Sequence, residues 1–268
     1  MTEPADSHNR VSYRFAVLGD PVEHSRSPQL HEAMLGIAGL KGEYVRLKAD
    51  EEMLSSAVED LRAGHWHGLN VTMPLKAAAA ALADSLSPTA ERSGSVNTLV
   101  RERRWIRGES TDSWTFRYLL NSGRFPERTA VLLLGAGGTA AAALAALDDE
   151  PNVYVAARRT SKAGDLSARL GGEVVSWGTA VAGALVINTT PLGTSGETLP
   201  DGILDVASGL IDLPYGPNPT PAIKATARLS LPNADGHEFL LRQAMGSFEL
   251  WTGVKIDYES ASEALRNT

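Results

Sequence analysis

The chain has 268 residues, of which 43% are hydrophobic and 21% charged, an ordinary mixture for one large or two modest domains. Its net charge of −7 argues against non-specific binding to nucleic acid or anionic lipid, so an anionic ligand must meet local positive charge. The absence of cysteine excludes a disulfide framework and a thiolate nucleophile or ligand, and no apolar run approaches the roughly 20 residues of a membrane span.

The beginning of the chain carries no export signal. Residues 1–10 are polar and lack the apolar segment of a signal peptide, and we expect them to be disordered. Together with the absence of cysteine, this predicts a cytoplasmic protein.

The first predicted helix follows a strand at residues 13–18 and a turn. Ser27 is placed to cap this helix, with Pro28 at the first helical position. Ser25 is not needed for that cap, so the two neighbouring hydroxyl groups indicate a small polar ligand. The next predicted elements are a strand and an amphipathic helix, at residues 43–47 and 51–63.

A second set of polar side chains lies on a short strand that ends at Pro74. Asn70 and Thr72 point to the same side of this strand because side chains alternate with a period of two. Lys76 follows in the first turn of an alanine-rich helix, where the helix dipole disfavours a positive charge. Its position indicates a function, and the alternative is a solvated surface lysine.

The next stretch brings an amide and a carboxylate into play. Asn97 and Thr98 form a polar pair inside a strand-like run, and residues 101–104 predict a charged hairpin tip. The returning segment leads to a loop that ends at Asp112, and residues 113–121 predict a helix.

The most informative stretch is residues 131–140, where an apolar run meets a glycine cluster and an alanine-rich segment follows. This order predicts a buried parallel strand, a tight turn and a helix. The spacing Gly135-x-Gly137-x-x-Ala140 fits the dinucleotide fingerprint, in which the second glycine lets backbone approach a pyrophosphate. The alternative is a turn without a ligand.

The following strand, at residues 153–157, completes a βαβ unit. NAD enzymes place a carboxylate at the end of this strand to hold the ribose 2′-hydroxyl. Here Arg158 and Arg159 follow, with Lys162 close by, and clustered cations suit a 2′-phosphate. The sequence therefore favours NADP over NAD, and the alternative is a solvated basic turn.

The remaining elements place polar loops after further strands. Residues 188–193 follow a strand at its carboxyl end, where open α/β sheets bind ligands. Tyr215 lies in a proline-rich loop, and Gly236 begins a last helical region that includes Gln243. The other short strands are predicted at residues 174–175, 185–187 and 210–213.

Taken together, these stretches resemble the shikimate dehydrogenase family over nearly the whole chain. The family's ordered motifs are matched at residues 19–31, 70–76, 95–98, 110–113, 188–193 and 236–243. Two of them depart from the family pattern. Ser110 and Ser113 replace the Asn and Gly that flank the aspartate, and Ala157 begins the segment that is Asn-Arg-Thr in the family.

The resemblance implies an NADP-dependent oxidoreductase that interconverts 3-dehydroshikimate and shikimate by hydride transfer, a step of aromatic amino-acid biosynthesis. Lys76 and Asp112 would act at the reacting hydroxyl, where the proton must leave, and the cofactor takes the hydride. The implied substrate contacts are Ser25, Ser27, Asn70, Thr72, Asn97, Tyr215 and Gln243. The expected cofactor contacts are Gly135, Ala136, Gly137, Gly138, Thr139, Ala140, Arg158, Arg159, Lys162, Thr189 and Gly236.

The resemblance also implies a two-domain α/β fold with the active site in the cleft. Residues 11–110 with 238–268 would form the substrate domain, and residues 111–237 a Rossmann-like NADP domain. We expect a monomer or homodimer, without a nucleic-acid or membrane partner. We also expect no metal, since hydride transfer requires none and no His/Cys cluster is present. His24 and His31 are interpreted as structural.

Two alternatives remain. A quinate/shikimate dehydrogenase using NAD would favour an acid after the second nucleotide strand, where Ala157 and two arginines stand. A non-catalytic NADP-binding regulator on the same fold would be expected to have lost Lys76 or Asp112, and both are present.

Overall fold

The computed structural model describes residues 12–126, 129–147, 150 and 152–266, so the disorder expected for residues 1–10 lies outside the described residues. The chain is a mixed α/β protein with two six-stranded sheets. The strands of the first sheet are β1 Ser12–Gly19, β2 Lys41–Lys48, β3 Gly68–Val71, β4 Ser85–Leu86, β5 Thr98–Glu102 and β6 Trp105–Glu109. Those of the second are β7 Ala130–Leu134, β8 Val153–Ala156, β9 Glu173–Val174, β10 Ala184–Asn188, β11 Gly209–Asp212 and β12 Asn233–Ala234.

Helices connect most of these strands. In chain order they are α1 Ser27–Ile37, α2 Glu51–Ala63, α3 Lys76–Leu82, α4 Pro88–Ser93, α5 Thr111–Leu120, α6 Gly138–Ala146, α7 Thr160–Leu170, α8 Pro221–Leu229, α9 Gly236–Thr252 and α10 Tyr258–Arg266, with a 3-10 turn at Leu204–Val206. Within the residues that the structure describes, every helix is too short or too polar to cross a bilayer.

The second sheet is parallel throughout, in the order β12-β11-β10-β7-β8-β9. This is the doubly wound nucleotide-binding order, and β7 and β10 flank the point where the strand order reverses. All five residues of β7 are buried, because a parallel sheet is covered on both faces. The order puts the glycine turn after β7 beside the loop after β10, at the sheet edge where such folds bind ligands.

The first sheet mixes the two strand directions, in the order β2-β1-β3-β5-β6-β4. Strands β1, β2 and β3 are parallel, whereas β5 runs antiparallel to both of its neighbours. The predicted hairpin tip is present between β5 and β6, where Arg103 adopts a positive φ of 61°. This arrangement sends Asn97, just before β5, to the same end of the sheet as the turn that follows β3.

Helix α9 joins the two halves, and it continues well beyond the predicted region that includes Gln243. Phe239 near its start packs in the core of the second sheet, against Phe116 at 4.7 Å between ring centroids. Trp251 near its end stacks on Phe15 of the first sheet at 4.7 Å. Gly68 has no room for a side chain there, since a Cβ would lie 2.3 Å from the Trp251 ring.

Two predicted helix starts were wrong. Helix α1 begins at Ser27 itself with Arg26 at the cap position, and no side chain among the described residues caps it. Helix α5 begins at Thr111, capped by Ser110, whose hydroxyl accepts from the Ser113 N–H. Asp112 therefore lies inside the first helical turn, where the helix dipole favours a negative charge.

Candidate active site

A cavity of about 460 Å³ lies between the two sheets, at the carboxyl ends of β3 and β7. Most of the predicted substrate and catalytic residues, with three of the predicted cofactor residues, line this one cavity. They are Ser25, Ser27, Asn70, Thr72, Lys76, Asn97, Asp112, Thr139, Thr189, Tyr215, Gly236 and Gln243. The packing of the two halves has gathered them from positions spread over most of the chain.

Lys76 and Asp112 form the charged centre of the cavity. Lys76 Nζ donates to Asp112 Oδ2 at 2.5 Å and to the Thr139 hydroxyl at 2.9 Å. The lysine side chain is only 11% exposed and the aspartate side chain 6%. The alternative of a solvated surface lysine is therefore wrong, because the ammonium is held by a carboxylate inside the cleft.

A network of amides and hydroxyls fixes the aspartate. Asn97 Nδ2 donates to Asp112 Oδ1 at 3.0 Å and to the Thr111 hydroxyl at 2.8 Å. Asn97 Oδ1 accepts from the Thr111 N–H at 2.8 Å, and Gln243 Oε1 lies 3.3 Å from Asn97 Nδ2. Each of these side chains is less than one-tenth exposed. Their bonds hold the carboxylate in a fixed orientation toward Lys76.

Asn70 is also tied into the protein. Its Nδ2 donates to the Asn97 carbonyl at 2.9 Å and to the hydroxyls of Thr98 and Ser247 at 3.0 Å. Its Oδ1 accepts from the Tyr44 hydroxyl at 2.8 Å. One lone pair of this oxygen is left over for a ligand. Tyr44 and Ser247 were missed by the sequence reasoning, and the period of two along β2, which places Tyr44 and Arg46 on one side, was the available signal.

Ser25 and Ser27 lie together at one corner of the cavity. Ser25 Oγ donates to Ser27 Oγ at 3.1 Å and accepts from the Ser27 N–H at 3.3 Å. Because Ser27 does not cap the helix, its hydroxyl is available to a ligand. Arg46 holds the segment in place by donating to the Ser25 carbonyl at 2.6 and 2.8 Å. This arginine, also missed by the sequence reasoning, brings positive charge to the hydroxyl pair.

Tyr215 belongs to the same region. Burial raises the pKa of its phenol, and the positive charges of Arg26 and Arg46 oppose that shift. The phenol therefore stays protonated at neutral pH and can act as a hydrogen-bond donor.

The glycine turn after β7 has the geometry of a phosphate site. Gly135 adopts a φ of +120°, and a Cβ there would lie 2.3 Å from the Thr189 hydroxyl. Gly137 is the cap residue of α6, and no described atom lies within 4 Å of the place where its Cβ would be. The first N–H groups of α6 therefore face open space, which is the arrangement that binds anions. Ala140 is fully buried and serves the packing of helix on strand.

The three cations Arg158, Arg159 and Lys162 lie at the same sheet edge. They are exposed, at the end of β8 and in the start of α7. The Gly135 N–H donates to the Ala156 carbonyl at 2.9 Å, which ties this edge to the glycine turn. Lys162 belongs to the first turn of α7 rather than to a loop. These positions leave the basic cluster outside the cavity wall but beside the nucleotide turn.

The loop after β10 is fastened at both ends. Thr189 donates from its hydroxyl to the Leu134 carbonyl at 2.8 Å. Asn188 donates to buried Asp212 at 2.7 Å and accepts from the Thr190 hydroxyl at 2.6 Å. Thr220 donates to the other oxygen of Asp212 at 2.5 Å, and burial raises the pKa of this carboxyl. The loop is thereby set against the glycine turn across the switch point of the sheet.

These features define a class of protein. The second sheet, with its strand order, glycine turn and neighbouring cations, is a dinucleotide-binding unit. Joined to a second α/β unit across a cavity that holds a lysine–aspartate pair, it makes the chain a two-domain oxidoreductase of the nicotinamide-dependent type.

Comparison with known proteins places the chain within that class. The family model of the shikimate dehydrogenase substrate-binding domain matches residues 17–99, and that of the shikimate 5′-dehydrogenase C-terminal domain matches residues 236–266. The NADP(+) shikimate dehydrogenase of Paramagnetospirillum magneticum is 39% identical over 89% of this chain and 92% of its own length. That of Gluconobacter oxydans is 35% identical over 93% and 92%. The chain belongs to the shikimate dehydrogenase family.

A solved structure supports the same relationship. Shikimate 5-dehydrogenase from Thermus thermophilus, in complex with NADP(H) and shikimate, superposes with a TM-score of 0.85 at 34% identity. The alignment covers 95% of this chain and 99% of that one.

Proposed function

We propose that this chain is an NADP-dependent shikimate dehydrogenase, which interconverts 3-dehydroshikimate and shikimate. The observation that carries the proposal is the Lys76–Asp112 pair, which lies between the glycine turn and a polar cavity. Relatives of 35–39% identity over most of the chain bear this name, and a structural neighbour holds both compounds.

The chain's own residues fit NADP. Open space at Gly137 and the free N–H groups at the start of α6 suit a pyrophosphate. Arg158, with Arg159 or Lys162, would pair with the 2′-phosphate, since guanidinium groups match phosphate geometry. Thr189 and Gly236 border the cavity where the nicotinamide would meet the substrate. When bound, the cofactor supplies a hydride acceptor for alcohol oxidation.

The cavity would hold the substrate by its two ends. Ser25, Ser27 and Tyr215 would donate hydrogen bonds to the carboxylate, in a region made positive by Arg46. The ring hydroxyl groups would contact the polar side chains on the opposite wall, which are Asn70, Thr72, Asn97 and Gln243. These roles follow from the family motifs and from the shared cavity.

The lysine–aspartate pair would manage the proton. Oxidation of the alcohol removes a hydride from the carbon and a proton from its hydroxyl, and the proton leaves through the pair. Lys76 Nζ has three donor positions, of which Asp112 and Thr139 take two. The remaining position is free to contact the reacting oxygen. Asn97 keeps the carboxylate from rotating during this step.

The proposal extends to organisation and location. We assign residues 11–110 with 238–268 to substrate binding and catalysis, and residues 111–237 to NADP. The separate sheets support this division, and helix α9 crosses between the two. A cytoplasmic location and a monomeric or homodimeric state complete the proposal.

Substitution of Lys76 tests the proposed function. Absorbance at 340 nm is followed with shikimate or quinate in combination with NADP or NAD, and the parent should be most active with shikimate and NADP. Lys76→Ala should lower turnover by about 10²-fold, the range for a positioned acid–base group. NADP affinity, measured by fluorescence titration, should remain near the parental value, because Lys76 touches a side chain rather than the backbone of the glycine turn.

A matched control separates the charge from the site. Lys255 is 81% exposed on its side chain, so Lys255→Ala removes a surface ammonium and should keep parental turnover. A Lys76→Ala protein that turns over shikimate as fast as the parent would contradict the catalytic role. Preference for quinate with NAD would favour the alternative dehydrogenase, and a parent without activity would favour the regulator.

A further inference from the structure

The ammonium of Lys76 receives one of its two protein contacts from the nucleotide half of the molecule. Lys76 begins α3, next to the first sheet, and its partner Asp112 lies in α5. The Thr139 hydroxyl, 2.9 Å from Nζ, belongs to the first turn of α6, directly after the glycine turn. The position of the lysine therefore depends on a residue that is 63 positions further along the chain.

The contact is part of a close fit between the two halves. A Cβ built on Gly138 would lie 3.2 Å from Lys76 Cδ and 2.9 Å from Ser95 Oγ. The aliphatic stem of Lys76 thus packs against the start of α6 while its ammonium reaches the next residue. Thr139 is β-branched, so its χ1 is restricted and its hydroxyl direction is well defined.

Asp112 alone would not fix the ammonium. A single carboxylate oxygen leaves Nζ free to turn about that contact, because a lysine ammonium has three equivalent donors on a flexible stem. With Asp112 on one donor and Thr139 on a second, the third is directed by elimination. Lys76 lines the cavity, so this third donor is the one available to a bound hydroxyl.

We propose that the Thr139 side chain is a positioning residue, which orients Lys76 for proton transfer from the nucleotide side of the cleft. This inference rests on the proposed function and goes beyond the assignment of Thr139 to cofactor contact. The backbone of residues 137–139 serves the cofactor phosphates, whereas the Thr139 hydroxyl serves the lysine. One turn then sets both the cofactor and the group that handles the substrate proton.

Thr139→Val tests the proposal, because valine keeps the branched shape and removes the hydroxyl. Turnover at saturating shikimate and NADP should fall about ten-fold, the lower end of what a lost hydrogen bond to a charged group costs. The KM for shikimate and the Kd for NADP should change little, since the effect is on the orientation of Lys76. Thr139→Ser restores the hydroxyl and should recover most of the turnover. Matching thermal melts for the variants would verify the fold.

A double-mutant cycle asks whether Thr139 acts through the lysine. In the Lys76→Ala background, the addition of Thr139→Val should cause no further loss of turnover, because the hydroxyl then has no ammonium to orient. A second ten-fold loss in that background would overturn the proposal. Parental turnover in Thr139→Val would overturn it as well, and so would an effect confined to NADP affinity.

A chemical readout keeps this inference separate from the proposed function. The rate at which an amine-reactive ester labels Lys76 is measured by peptide mass spectrometry, with Lys255 as the internal control. Thr139→Val should raise the labelling of Lys76 by several-fold, because one of the contacts that hold its ammonium is lost, while Thr139→Ser and Lys255 should stay at parental rates. Unchanged labelling would overturn the inference even if shikimate is a substrate. A parent inactive on shikimate, with labelling as expected, would refute the proposed function alone.

Discussion

The buried histidine His31 makes the stability of this protein sensitive to acid. Its ring is 0% exposed and stacks on Tyr44, with centroids 4.3 Å apart and planes 10° from parallel. Neither ring nitrogen has a hydrogen-bond partner among the described residues. Burial lowers the pKa of His31 from 6.5 to about 3. Tyr44, its titratable neighbour, stays neutral because burial raises the pKa of the phenol.

The sign and size of the effect follow from these two pKa values. Below pH 6.5 the unfolded chain binds a proton at this histidine, whereas the folded chain does not until near pH 3. The stability contribution is therefore complete above pH 6.5 and is lost progressively as the pH falls toward 3. Each pH unit costs about 1.4 kcal/mol, so at pH 5 the loss amounts to about 2 kcal/mol of unfolding free energy.

Replacement of His31 by phenylalanine should remove this sensitivity. Phenylalanine keeps the stacking on Tyr44 and sacrifices no hydrogen bond, so the variant should fold. Urea unfolding at pH 7.5 and pH 5 should show the parent losing about 2 kcal/mol more than His31→Phe. His65 is 68% exposed on its side chain, and His65→Gln, the control, should keep the parental pH dependence. Equal losses for the parent and His31→Phe would refute the reasoning.

Three further predictions concern the cleft. Arg158→Ala should raise the KM for NADP about ten-fold or more with little change for NAD, whereas Arg228→Ala, at an exposed arginine, should change neither; equal loss with both cofactors would show that the cluster does not bind the phosphate. Ser25→Ala should weaken shikimate binding in a titration, and a parental affinity would make the hydroxyl pair structural. Asp212→Ala should lower the unfolding free energy by about 2–4 kcal/mol, because it leaves buried partners unpaired; Asp212→Asn should lose less, since burial already disfavours the charge, and parallel melts of the two would contradict that.

Local patterns determined much of this protein. An apolar run followed by closely spaced glycines can form little else than a strand and a tight turn, and the structure has both at β7 and Gly135. Basic residues that immediately follow the next strand must emerge at the same edge of a parallel sheet, so their place beside the turn was predictable. Family motifs supplied the fold and the set of cavity residues, because each motif is contiguous in sequence.

Capping and continuity were less predictable. A Ser-Pro pair suggests a cap at the serine, yet the helix begins at Ser27, and Arg26 takes the cap position with a φ of −92° and a ψ of 5°. Helix α9 was expected to be interrupted, but it runs unbroken to Thr252. Phe239, Phe248 and Trp251 bury one face of it against both sheets, and tertiary packing of that kind outweighs local preference.

The sequence by itself therefore determined the class of fold, the nucleotide turn, the basic cluster and the residues able to bind substrate. Only the tertiary structure decided which of them touch. Lys76 meets Asp112 across 36 residues of chain and Thr139 across 63, and Arg46 and Tyr44 reach the cavity from a strand without a motif. Side-chain contacts of this kind depend on how two sheets and a shared helix pack, and chain spacing carries no information about that packing beyond the local period.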